Sequence, residues 1–217
     1  MELDFMVLAP YMHMFAKGVL ATIKASALGL CVGTGLGVIV GSFRVMPIKP
    51  LRWLMSTYIY VLRGTPLMIQ LFLIYFGLPA LGINLNAYTA GIIGIGVNSS
   101  GYVGEIVRGG IEGVPKGQWE ASQMLGLSYW QTMKSIVLPQ AIRHMLPALG
   151  NEFVTLIKES SLLSVLAISE LTMVGQQVRS VTYASFETFI FVAFVYLVLT
   201  SVTSGALQLL ENHWKTK

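Results

Sequence analysis

Residues 64–104, GTPLMIQLFLIYFGLPALGINLNAYTAGIIGIGVNSSGYVG, run for 41 positions without one charged side chain. A bilayer's hydrocarbon core takes roughly 20 helical residues to cross, so this stretch is long enough to cross twice. Pro79, Gly82, Asn84 and Asn86 supply turn chemistry near its middle and mark the break. Outward from there, apolar stretches recur and place spans at about 18–43, 53–78, 87–107, 145–169 and 188–210. With 54% hydrophobic and only 11% charged residues, the chain is far from a soluble average. Its apolar runs are long rather than alternating, which selects helices over a closed barrel, and its 22 glycines suit close helix packing in lipid. The expectation is one all-α integral membrane domain over residues 1–217 with about five transmembrane helices, plus a cytoplasmic loop at about 108–144.

Basic residues in short loops set orientation, because Lys and Arg accumulate on the cytoplasmic side. Arg44, Lys49 and Arg52 follow the first span, Arg108, Lys116, Lys134 and Arg143 follow the third, and Lys215 and Lys217 end the chain. Only Lys17 and Arg179 stand opposite. The amino terminus is therefore expected outside and the carboxyl terminus in the cytoplasm. The apolar core of the first span is too long for a cleaved signal and is read as retained. The net charge of +4 is spread between spans without a nucleic-acid motif, so no nucleic acid is expected as partner. The lone Cys31 rules out an internal disulfide, and His13, His144 and His213 join no ligand cluster, so no metal site is expected.

The loop from Arg108 to His144 reads as two short amphipathic helices. Pro115 precedes the first and Gly126 stops it; Ser128 with Gln131 forms a capping-box pattern for the second, and Pro139 closes that one. Periodicity alone leaves open whether they lie on lipid headgroups or form a knob below the bilayer. The residues carry more. Glu120-Ala121-Ser122, Gly126, Ile136, Leu138 and Pro139 resemble the Glu-Ala-Ala loop of bacterial ABC importer permeases, with Ser122 in place of the third alanine. Arg63-Gly64-Thr65-Pro66, Gln70-Leu71-Phe72, Glu105 to Gly110, Pro115 to Glu120 and Lys158 to Leu162 are similar to the polar amino-acid branch of that family.

The resemblance implies the type I importer permease fold in a bacterial cytoplasmic (inner) membrane. It implies a second permease copy, identical or not, two cytoplasmic ATP-binding subunits and an extracytoplasmic amino-acid-binding protein. No P-loop occurs in this chain, so ATP and Mg would be bound by the ATPase subunits, with no cofactor here. Glu120, Ala121, Ser122 and Gly126 would couple ATPase closure to the spans.

Ionisable groups at bilayer depth are costly and mark polar pathways or pair with each other. Counting at about 1.5 Å per residue from Trp53 puts Arg63 roughly 15 Å deep. Tyr60, Arg63 and Gln70 make a polar stripe on the second span, and Asn98 and Glu105 another on the third. Glu152, Thr155 and Glu159 share one face of the fourth, while Lys158 points elsewhere. Together they offer a planar cation for a substrate carboxylate and acceptors for its ammonium group. Two carboxylates on one face favour a substrate with a cationic side chain; glutamine held by Glu152 and Asn98 is the other polar option. The bland alternative is that Arg63 or Lys158 only neutralises Glu159 between helices. Lys24 is read as a snorkelling side chain rather than a ligand. An intramembrane enzyme lacks any assembled nucleophile and base, and a passive channel has no use for an ATPase-docking loop.

Overall fold

The computed structural model describes residues 3–215, and side chains as far as residue 212. Lys217 lies outside the described residues, and the side chains of His213 and Lys215 lie outside the described side chains. Nine α-helices follow one another among the described residues: α1 (Met12–Val45), α2 (Lys49–Gly64), α3 (Leu67–Phe72), α4 (Ala87–Glu112), α5 (Lys116–Met124), α6 (Tyr129–Thr132), α7 (Leu138–Glu159), α8 (Leu171–Thr182) and α9 (Ser185–Lys215). The protein is an all-α membrane protein. The stretches Phe5–Val45 and Ser185–Asn212 are each long and apolar enough to cross a membrane. Lys49–Gly64 and Leu67–Leu81, bent by 104° at their junction, make a third if taken as one span.

The element at the centre is α4, which packs against α1, α2, α3 and α7. Its sequence is rich in glycine and serine rather than leucine, because it is enclosed by protein on most sides. Ile95, Ser99, Ser100 and Val103 are fully buried there. The contact with α1 is made by Gly29, Gly33, Gly37 and Gly41, four residues apart and so on one face. A Cβ on Gly33 would come within 2.8 Å of the Ser99 side chain, and one on Gly37 within 2.5 Å of Val103. Any side chain there would push the two helices apart, so this is close backbone approach of the kind small residues permit in membranes.

The first helix, Met12–Val45, follows a 3-10 turn over Phe5–Tyr11 and encloses the stretch expected as the first span. Three expectations are corrected. The second span is not one straight helix: Thr65 and Pro66 are extended (φ −119°, ψ 143° and φ −63°, ψ 134°), as expected for a proline and the residue before it. The stripe Tyr60, Arg63, Gln70 is therefore divided by the bend. The second cytoplasmic helix does not close at Pro139. A π turn over Met133–Val137 joins α6 to α7, widening the helix just ahead of the proline, which has no N–H to give. In the fourth segment, the regular helix stops at Glu159 and continues as a 3-10 turn, Ser160–Leu166, ending at Ala167 in the left-handed region (φ 57°).

Beyond that turn a buried polar knot holds α8. Glu170, fully buried, accepts from the backbone N–H groups of Thr172 and Met173 and from the Tyr196 hydroxyl of α9, each at 2.8 Å. Thr22 of α1 accepts from the Leu171 N–H at 3.2 Å. A carboxylate at a helix start satisfies donors that the helix leaves free, and here it also ties α8 to α9, while Thr22 ties α8 to α1.

Candidate functional site

Two of the polar candidates, Gln70 and Asn98, meet at the α2–α3 break. A helix that stops at membrane depth leaves carbonyls that water cannot satisfy. Gln70 supplies the donors: its Nε2 reaches the Leu62 carbonyl (2.9 Å), the Thr65 carbonyl (3.2 Å) and the Thr65 hydroxyl (2.7 Å). Asn98 of α4 donates to Gln70 Oε1 (3.1 Å) and to the same Leu62 carbonyl (3.4 Å). Gln70 and Asn98 are both buried, and they clamp the break across two helices.

Arg63, released one position before the end of α2, lays its guanidinium over the Tyr102 ring of α4, 5.1 Å from the centroid. It lines an open hollow of about 640 Å³ together with Tyr60, Trp53, Tyr102 and Glu105. Tyr60 is 79% exposed on that wall. On α7, Glu152 is only 8% exposed and accepts a 2.7 Å hydrogen bond from Ser99. Thr155 is half-buried and donates back to the Asn151 carbonyl at 3.1 Å. Glu159 is half-buried and Lys158 exposed, with no ion pair between them among the described residues. The structure thus joins Gln70 to Asn98 and Glu152 to Ser99, and among the described residues Arg63, Thr155, Lys158 and Glu159 make no hydrogen bond or ion pair to another of the candidates.

Glu105 belongs to a different cluster. It pairs with Arg44 of α1 and with Arg108 (2.7 Å), which also pairs with Glu112, and Arg44 donates to Ser56 of α2 at 3.2 Å. Spacings of three and four between Glu105, Arg108 and Glu112 are a legible ion-pair pattern on one helix; the Arg44 partner has no sequence signal. Ser99 and Tyr102, the partners of Glu152 and Arg63, were also missed, since nothing in their spacing distinguishes them from packing residues.

The cytoplasmic hairpin follows the expected caps. Gly126 takes φ 73°, its N–H bonds the Gln123 carbonyl (2.9 Å), and the Leu127 N–H bonds the Ser122 carbonyl (3.1 Å), a Schellman stop. Ser128 and Gln131 then exchange both bonds of a capping box. Ser122 is fully buried and donates to the Gln118 carbonyl at 2.5 Å, so the position requires a small residue and accepts a hydroxyl. Glu120, Ala121 and Gly126 are exposed, flanked by Met124 at 91%, Leu125 and Trp130. Trp119 and Tyr129 stack with centroids 6.0 Å apart, and burial pushes the Tyr129 phenol above its ordinary value. The hairpin is not a loose appendage. Val114, Met133, Val137 and Ala141 share one buried core with Val103, Val107 and Ile111 of α4, with Trp119 packed against it.

Among the described residues, no three His, Cys, Asp or Glu side chains gather as a metal site would require. Comparison with known proteins gives a consistent result. The family model described as binding-protein-dependent transport system inner membrane component matches residues 33–216. The chain is 40% identical over 199 residues to the probable glutamine ABC transporter permease protein of Bacillus subtilis (strain 168), covering 92% of each. It is 34% identical over 217 residues to the arginine transport system permease protein of the same organism, covering 100% of this chain and 99% of that one. Among solved structures, the crystal structure of an amino acid ABC transporter with histidines superposes with a TM-score of 0.93 at 41% identity, over 98% of this chain and 100% of that one.

Proposed function

The chain belongs to the binding-protein-dependent transport system inner membrane components, in their polar amino-acid ABC permease branch, and we propose that it is the moving membrane part of an alternating-access importer. It is the permease subunit of such an importer and not an enzyme. Five crossings, α1, the bent α2–α3 pair, α4, α7 and α9, run through a bacterial cytoplasmic membrane, with the amino terminus outside. That topology gathers Arg44, Lys49, Arg52, Lys116, Lys134 and Arg143 on the cytoplasmic side.

The single observation that carries the mechanism is that Trp119 of α5 packs against a buried core in which the π turn after α6 (Met133, Val137) joins α4 and α7. A push on the exposed Glu120 to Gly126 surface is passed to the helices that hold Ser99, Tyr102 and Glu152. Two ATPase subunits, which bind ATP and Mg, deliver that push; a second permease copy completes the pathway, and an extracytoplasmic binding protein delivers the amino acid. Arg63 receives the substrate carboxylate. Glu152, Thr155 and Glu159 receive the ammonium group and a cationic side chain, which makes a basic amino acid the favoured cargo. Tyr60 and Lys158 flank the route, while Gln70 and Asn98 keep the break open beside Arg63.

Uptake of labelled arginine into proteoliposomes is expected to require ATP and a co-reconstituted ATPase; uptake without them would make the chain a passive channel. Glu159→Gln is expected to lower arginine uptake relative to glutamine by about tenfold, the loss of one charge-assisted contact. An unchanged preference removes Glu159 from selectivity.

A further inference from the structure

At the cytoplasmic ends of α1, α2 and α4 lies a second hollow of about 440 Å³. Arg44, Lys49, Arg52 and Arg108 line it against the single carboxylate of Glu112, with Trp53 on its rim. Glu105 is the next carboxylate, already shared by Arg44 and Arg108. Glu112 is taken by Arg108. Lys49 and Arg52 are left with no acidic partner among the described residues, although both face the same concavity. Cations brought together on a concave wall repel one another unless an anion sits between them. The first turn of α2, which carries Lys49, has no side-chain cap and adds its positive end. Trp53 is 71% exposed one position after Arg52, a placement that suits an amphipathic ring at headgroup level.

We propose that this hollow binds a phosphate anion through Lys49 and Arg52, backed by Arg44 and Arg108. Two sources carry that chemistry: the phosphodiester of an anionic lipid in the cytoplasmic leaflet and free inorganic phosphate. The leaflet rests on the topology proposed above; the anion site does not. Guanidinium forks match phosphate oxygens in pairs, and basic pockets between membrane helices hold anionic headgroups.

The test uses the purified complex of this chain with its ATPase subunits, as wild type, Lys49→Gln/Arg52→Gln and the charge-keeping Lys49→Arg/Arg52→Lys. Native mass spectrometry reads retention of added phosphatidylglycerol against phosphatidylcholine, and a titration reads inorganic phosphate; only differences between wild type and variants count, which cancels the ATPase sites. Wild type and the charge-keeping protein are expected to retain phosphatidylglycerol about tenfold better than the glutamine protein, less so as salt rises. That result, undisturbed by inorganic phosphate, identifies the lipid as source. Phosphate binding that the glutamine protein loses, with no lipid preference, supports the site with free phosphate as ligand. Equal lipid retention and equal phosphate binding in all three proteins overturns the proposal. Binding in detergent does not depend on cargo or direction of transport, so that failure would leave the importer reading untouched.

Discussion

The α5–α6 hairpin and the α2–α3 break are both places where one helix stops and another starts within a few residues, yet they satisfy their backbones in opposite ways. At the hairpin every capping partner lies within a few positions: Gln123 and Ser122 take the N–H groups of Gly126 and Leu127, and Ser128 and Gln131 cap each other. At the break, the carbonyls of Leu62 and Thr65 are taken by the side chain of Gln70, itself held by Asn98 from another helix. The difference follows from the surroundings. A turn facing water needs only a local solution, since any spare group is hydrated. At the membrane depth proposed for the break each freed carbonyl needs a protein donor, and the stop brings in a side chain from farther along the chain that binds the break to α4.

Breaking the local solution is expected to have the largest effect. Gly126→Pro cannot adopt φ 73° and removes the N–H that bonds Gln123, at a cost of roughly 3 kcal/mol or more in the hairpin. ATPase co-purification and ATP-driven uptake should both fall by more than about tenfold; retention of both would show that the hairpin is not the coupling surface. Breaking the long-range solution comes next. Gln70→Leu strands the Thr65 carbonyl and leaves the Leu62 carbonyl and the Asn98 amide only their 3.4 Å bond to each other, about 2–3 kcal/mol, and should lower the melting temperature in detergent by several degrees. Adding Asn98→Leu should cost less than it does alone, and strict additivity would mean that the two side chains do not act as one clamp. The smallest effect belongs to Ser122→Ala, which removes one bond to the Gln118 carbonyl but keeps the buried volume small. Stability should change by about 1 kcal/mol or less, with uptake unaltered.

The same contrast explains what could be read from sequence. Pro115, Gly126, Ser128 and Gln131 announced the hairpin because capping is local. The long apolar runs that became α1 and α9 were legible for a similar reason, being properties of contiguous residues. The bend at Thr65-Pro66 was written in the sequence too, through the bias a proline imposes on its predecessor, but helical periodicity applied across it joined Arg63 and Gln70 into one stripe. Pairings such as Ser99 with Glu152 or Arg44 with Glu105 depend on which helices become neighbours, and periodicity carries no information about that. Of the polar candidates, Gln70 and Asn98 turned out to be bonded to each other, while Arg63 rests on Tyr102 and Glu152 on Ser99, both residues of α4. Glu170 fell between the assigned spans, and a glutamate is not a usual opening residue for a helix, so its knot with Tyr196 left no trace in the sequence pattern.

The π turn that carries α6 into α7 makes the hairpin and the paired carboxylates parts of one continuous helical run from Tyr129 to Glu159. At about 1.5 Å per residue that run is a lever roughly 45 Å long, with the proposed docking surface at one end and the proposed substrate groups at the other. A tilt of about 5° at the near end would sweep the far end by about 4 Å, more than the length of a hydrogen bond. Motions too small to notice at the docking surface would suffice to make or sever a contact at Glu159.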